Sequence, residues 1–98
     1  VYENGWRASR PCFVIFGLPN GAGHCRLGLT VTRKVGNAVI RNRAKRVLRG
    51  IFRRNRASLG HSLDLVVNAR TALLGTPSCR VERQFLDSVA EIAGRAER

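Results

Sequence analysis

The sequence predicts a small α+β domain: an antiparallel or mixed sheet with helices on one face, in the order β-β-α-β-α. Three patterns carry this expectation. Short apolar runs of strand length, rich in Val, Ile and Phe, stand at residues 12–16, 26–32 and 63–69. Two longer stretches, beginning near Asn37 and Thr76, repeat apolar residues at the helical period. Gly, Pro and Asn cluster between these segments. At 98 residues with 44% hydrophobic side chains, the chain is expected to form one domain, 1–98, with a single core and no room for a large buried catalytic cavity.

The first ten residues give only a weak signal, with Tyr2 and Trp6 around an Asn4-Gly5 turn, and they leave a further short strand near Trp6 open. In CFVIF, residues 12–16, alternation puts Phe13 and Ile15 on one side and Cys12, Val14 and Phe16 on the other. GLPNGAGH, residues 17–24, reads as a loop. In RLGLTVT, residues 26–32, Leu27, Leu29 and Val31 point inward while Gly28, Thr30 and Thr32 point outward. The length of the loop predicts that these two strands pair antiparallel.

Asn37 suits an N-cap, because its side chain can accept from an orphan backbone amide, and Gly36 permits a sharp entry. At ~100° per residue, Ile40, Ala44, Val47, Leu48, Ile51 and Phe52 share a sector roughly 140° wide. Gly50 costs the helix ~1 kcal/mol relative to Ala. Burial of Ile51 and Phe52, at roughly 1.5–3 kcal/mol each, outweighs that. The helix is expected to end between Asn55 and Gly60, ahead of the strand LDLVVNA and the loop TALLGTP. A last helix opens around Thr76 to Ser78, either of which suits a cap, with Pro77 in its first turn. Its stripe is Val81, Phe85, Val89, Ile92 and Ala96, with Leu86 and Ala93 alongside.

Charge narrows the function. Lys and Arg number 18 against 6 acids, a formal net charge of +12. Arg33, Lys34, Arg41, Arg43, Lys45, Arg46, Arg49, Arg53, Arg54 and Arg56 fall in the single stretch 33–56, which holds no Asp or Glu. Ordinary helices mix acids with bases for pairing support, so a polyanion is the expected partner and nucleic acid leads. A membrane surface ranks behind, since the basic helix also has to serve a core. No apolar run nears the ~18 residues of a membrane span, and the three cysteines lack CxxC spacing, so free thiols in the reducing cytoplasm are expected. His24 and His61 stand alone in loops, and the acids Glu3, Asp64, Glu82, Asp87, Glu91 and Glu97 read as solvated surface charge. Metal-assisted hydrolysis needs clustered carboxylates. No catalytic or metal-binding residue is therefore expected.

At VGNAVIRNRAKRVLR, residues 35–49, the chain resembles the bacterial ribonuclease P protein component family, marked by an Arg-Asn-Arg core (Arg41-Asn42-Arg43) after a basic pair and a Gly-Asn. RLGLTVTRK, CFVIFGLPN and DLVVNAR match the strands around it, so the resemblance covers nearly the whole chain. It implies an α+β fold with a left-handed β-α-β crossover, the opposite of the general handedness rule. Family members carry a further basic, helical N-terminal segment ending in aromatics. The resemblance thus implies a shortened N-terminus, with Tyr2 at an aromatic position, while Asn68 stands where the family is usually apolar.

The function so implied is that of the RNA-binding subunit of ribonuclease P, which helps the catalytic RNA remove the 5′ leader of precursor tRNA. The partners would be that RNA and the leader, with no membrane and no obligate protein partner. Mg2+ would serve the RNA, and the protein would bind no cofactor. The RNA-binding residues would be Arg33, Lys34, Arg41, Asn42, Arg43, Lys45, Arg46, Arg49 and Arg53. Arg43, Arg46, Arg53 and Arg54 are expected to face the large RNA, and Arg41, Lys45 and Arg49 to border a leader groove on the sheet. That groove would hold Tyr2, Val14, Phe16 and Thr30, with Thr30 beside Phe16. The alternative is a ribosomal or other structural RNA-binding protein without a role in cleavage. A basic-zipper DNA reading lacks the heptads it needs downstream, where SLGHS breaks the pattern.

Overall fold

Four strands form one mixed sheet in the order β1-β2-β4-β3 in the computed structural model, which describes residues 5–21, 23–59 and 63–96. The elements are β1 (Trp6–Ser9), β2 (Phe13–Pro19), β3 (Arg26–Thr30), α1 (Ala38–Asn55), β4 (Leu63–Ala69) and α2 (Ser78–Ala96). Short 3₁₀ turns follow α1 at Arg56–Ser58 and β4 at Thr71–Leu73. The short strand left open near Trp6 is β1, which makes the order β-β-β-α-β-α.

The expected β2–β3 pairing does not form. β4 lies between them, antiparallel to β2 and parallel to β3. Burial separates the two candidates: Leu63, Leu65 and Val67 of β4 are all but inaccessible, whereas Leu27 and Leu29 of β3 are only half-buried, which suits β4 to the inside of the sheet and β3 to its edge. The connection after β2 then crosses two strand spacings of about 4.8 Å each, a short reach for residues 20–25. β3, α1 and β4 together make a parallel crossover.

Both helices pack on the sheet face bearing Phe13, Ile15, Leu65 and Val67. α1 contributes Ala44, Leu48 and Ile51 to the core; α2 contributes Val81, Phe85, Val89, Ile92 and Ala93. Gly17, expected in a loop, is a β2 residue where α2 comes close: a Cβ there would lie 2.5 Å from Ile92 Cγ2. Ser88 is wholly buried, and its hydroxyl donates to the Gln84 carbonyl at 2.6 Å, which satisfies it within the helix.

Local expectations fail where a long-range contact outweighs the pattern. Cys12 precedes β2, and it turns into the core instead of joining Val14 and Phe16. Its carbonyl accepts from the Arg70 N–H at 2.8 Å. Asn37 caps α1 as expected, accepting from the Ile40 N–H at 3.0 Å. Ile40 is nevertheless 38% exposed and Val39 72%, because burial along α1 begins only at Ala44. Ile40 instead covers Gly36, where a Cβ would come within 2.7 Å of its Cγ2. Before α2, the Thr76 hydroxyl donates back to the Ala72 carbonyl, and the Pro77 carbonyl accepts the first helical N–H groups, so Pro77 stands ahead of the first turn. Leu73, expected in a loop, is a core residue.

Candidate nucleic-acid interface

The sheet face away from the helices is open, and the strand register sorts it into rows. One row runs Arg7, Phe16, Val66, Gly28; the next runs Ser9, Val14, Asn68, Thr30. A third holds Leu18, Asp64 and Arg26. Val14, Phe16, Leu18 and Val66 are half-buried, so the centre of the face is an apolar platform with Arg7 and Arg26 exposed at its margins. Val14, Phe16 and Thr30 share this face as the sequence pattern requires. Thr30 is not beside Phe16, however, because β4 stands between their strands and Thr30 lies in the adjacent row. Asn68, polar where the resemblance implies an apolar residue, sits on this open face between Val14 and Thr30, where its amide does not have to enter the core. Tyr2, also assigned to the groove, lies outside the described residues.

Behind its core-filling side, α1 presents its cations. Asn42, Arg43, Arg46, Arg49 and Arg53 are exposed, and Arg41 and Lys45 are half-buried. Asn42, Arg46, Arg49, Gly50 and Arg53 line a shallow hollow of about 390 Å³ on the side away from the core. Arg33 and Lys34 are exposed in the turn that leads to the helix, closed by the Val35 N–H to the Thr32 carbonyl at 3.0 Å. The Nε of Arg41 is buried without a hydrogen-bond partner.

Two edges of α1 differ from the expectation. Arg54, placed with the RNA-facing row, instead reaches α2, where its Nη2 lies 2.9 Å from Glu82 Oε1. Asn55 donates to the other Glu82 oxygen at 2.8 Å. The Asn55 hydrogen bond and the Arg54 guanidinium together hold the Glu82 carboxyl below its ordinary range. On the opposite edge, Lys45 and Arg49 face a cleft whose far wall is β3. The residues they meet there include Leu27 and Leu29, which point to the helix side, so the strand itself separates these cations from the outer sheet face.

The acids are not all merely solvated. Arg26 grips Asp64 with two bonds, 2.7 and 3.1 Å, and Asn20 adds a third at 3.0 Å. The Arg26 hydrogen bonds first, and Asn20 second, push the Asp64 carboxyl down, while the guanidinium is pushed up by the same contact. Glu91 pairs with Arg10 at 3.1 Å and Arg95 at 3.4 Å. Pairs 81 and 38 residues apart leave no local sequence signal. Among the described residues no three His, Cys, Asp or Glu side chains come together to hold a metal ion, and no helix is long and apolar enough to cross a membrane. Cys12 and Cys25 are buried, Cys79 is exposed, and all three are free thiols.

The sequence pattern did not single out Arg7 and Arg26 at the margins of the open face, and it gave Arg56 to the basic stretch and Phe52 to the apolar stripe without bringing them together in a cleft. Alternation from Thr30 already places Arg26 on the outer face, so that signal was present. Arg7 needed the β1–β2 register.

A family model described as Ribonuclease P matches residues 1–93. The ribonuclease P protein component of Maridesulfovibrio salexigens is 40% identical over 95 residues, covering 93% of this chain and 77% of the relative. The RNase P protein from Thermotoga maritima superposes with a TM-score of 0.80 at 32% identity, over 89% of this chain and 83% of that one. The Staphylococcus aureus protein gives 0.75 at 28% identity, over 98% and 84%.

Proposed function

Because the chain belongs to the ribonuclease P protein family, we propose that its two surfaces divide the work of that enzyme. The cationic side of α1 binds the ribonuclease P RNA, and the outer sheet face holds the 5′ leader of precursor tRNA. As a member of the family, the chain is the RNA-binding protein subunit of an endoribonuclease that matures tRNA 5′ ends.

The observation that carries this reading is the helix with no acid of its own, whose front fills the core and whose back stays charged. Arg43, Lys45, Arg46, Arg49 and Arg53 make no ion pair among the described residues. Planar guanidinium forks suit phosphates bidentately and stack on bases. Asn42 lies among them, Arg41 flanks them, and Arg33 and Lys34 extend the basic surface toward β3. For the leader, Phe16 with Val14, Val66 and Leu18 offers a flat apolar surface on which single-stranded bases can stack without sequence demand. Thr30 and Asn68 add polar groups, and Arg7 and Arg26 add charge for the backbone.

In this reading the protein acts in the cytoplasm, needs no second protein, and leaves Mg2+ to the RNA. Its own residues bind and orient; none is assigned a proton or a metal. The test is reconstitution with a bacterial ribonuclease P RNA at low magnesium, where added protein should restore precursor cleavage. In that complex Phe16→Ala should weaken binding of precursor carrying a leader by roughly 1–3 kcal/mol, with mature tRNA unaffected. Equal loss for both RNAs would remove the leader from the sheet face.

A further inference from the structure

The cleft between β3 and α1 adjoins the exposed cationic side of α1, with which it shares Arg49 and Arg53, and it combines two chemistries. Its walls are cationic, with Lys45, Arg49, Arg53 and Arg56 from α1 and the turn that follows it. Its floor is apolar, with Leu27 and Leu29 of β3 and Phe52 of α1, all half-buried. The volume is about 470 Å³, within the roughly 300–1,000 Å³ typical of sites that enclose a small ligand. No Asp or Glu lines it, and of its Arg and Lys residues only Arg26 is ion-paired among the described residues. Among the described residues β3 is an edge strand bonded to β4 alone, so alternate residues along it direct N–H and C=O groups away from the sheet.

We propose that this cleft takes one unstacked nucleotide of the bound ribonuclease P RNA. Its base lies on Phe52 and the two leucines, and its phosphate sits between Lys45, Arg49 and Arg53. A base-paired backbone crossing the rim needs only the cations and has no use for an aromatic floor left half open to water. An extruded base uses both, since it has an apolar face to cover and a charged backbone that cannot follow it into the core. The unpaired main-chain groups of β3 offer hydrogen bonds to the base edge at no cost in side-chain ordering. This inference rests on the reading that α1 binds the RNA, and it adds where a single nucleotide leaves the stack to lock the helix in place.

The test measures affinity of the full chain for ribonuclease P RNA as a function of salt. Phe52→Leu keeps an apolar side chain and removes the ring. It should weaken binding about 5- to 150-fold, the loss of one stacked base, with the salt slope unchanged. Lys45→Gln should lower the slope by about one. A melting curve shows whether each variant folds. As a second readout that does not depend on stability, Phe52→Trp in a Trp6→Phe background should lose fluorescence on saturation with the RNA. Unchanged affinity for Phe52→Leu, or unchanged emission from the tryptophan, overturns the nucleotide site and leaves only a backbone crossing the rim. Arg46→Gln on the exposed side of α1 serves as the separate control. If it too leaves affinity unchanged, the failure lies in the assignment of α1 to RNA and not in the cleft alone.

Discussion

The two helices are nearly equal in length, 18 and 19 residues, and both fill the core, yet they use charge in opposite ways. α2 sets Arg80, Arg83 and Arg95 against Glu82, Asp87 and Glu91, and two of those acids reach out to Arg54 and Arg10. α1 carries Arg41, Arg43, Lys45, Arg46, Arg49, Arg53 and Arg54 with no acid, and only Arg54 finds an ion-pair partner among the described residues. What sets the proposed RNA helix apart is therefore missing counter-charge and not arginine content. Crowded cations destabilise a small domain through self-repulsion, and an arriving polyanion relieves it. On this view α2 is a structural helix and α1 is a helix left waiting for RNA.

The comparison breaks most visibly if α2 is emptied. Phe85 is wholly buried, and Phe85→Ala should cost about 3–5 kcal/mol, seen as a large drop in melting temperature, while the fraction still folded binds RNA as before. The paired change on α1 should do the reverse. Arg43→Ala with Arg46→Ala removes two exposed side chains, so stability should stay within about 0.5 kcal/mol per site while affinity for ribonuclease P RNA falls. A stable double variant with undiminished affinity would contradict the division of labour.

The smallest effect is at the contact that joins the two helices. Glu82 titrates below its ordinary value when folded, because Asn55 and Arg54 bond its carboxylate. A depressed folded pKa adds stability above the unfolded value, near 4.3, and loses it as pH falls through the folded one. Wild type should therefore melt slightly above Glu82→Gln at neutral pH, and the gap should narrow as pH falls below the unfolded value and close once it has passed the lower folded one. A gap that persists in acid would mean the contact is not ionic.

Much of this division was legible in the residues themselves. The stripe of Ala44, Leu48 and Ile51 and that of Val81, Phe85, Val89 and Ile92 follow from period alone, and Asn37 caps where its side chain predicts. The alternation of β2 and β3 placed Val14, Phe16 and Thr30 on one face. What failed depended on distance along the chain. The insertion of β4 between β2 and β3 is decided by which strand has most to bury, not by loop length. Arg54 reads as one more free cation until Glu82, 28 residues later, is folded against it. Asn68 looks out of place in a strand until the register puts it on the open face. The cleft beside β3 joins residues 27 and 29 to residues 45–56, and only the parallel crossover brings them together.

The most direct test of the contrast is the salt dependence of affinity for ribonuclease P RNA, compared between single charge removals on the two helices. If about six phosphates are neutralised, the log–log slope of the intact chain should lie near −4 to −5. Arg46→Gln on α1 should bring it closer to zero by about one, and Arg83→Gln, also exposed but on α2, should leave it unchanged. The same change of slope from both helices would mean that net charge alone attracts the RNA, and that α1 holds no privileged surface.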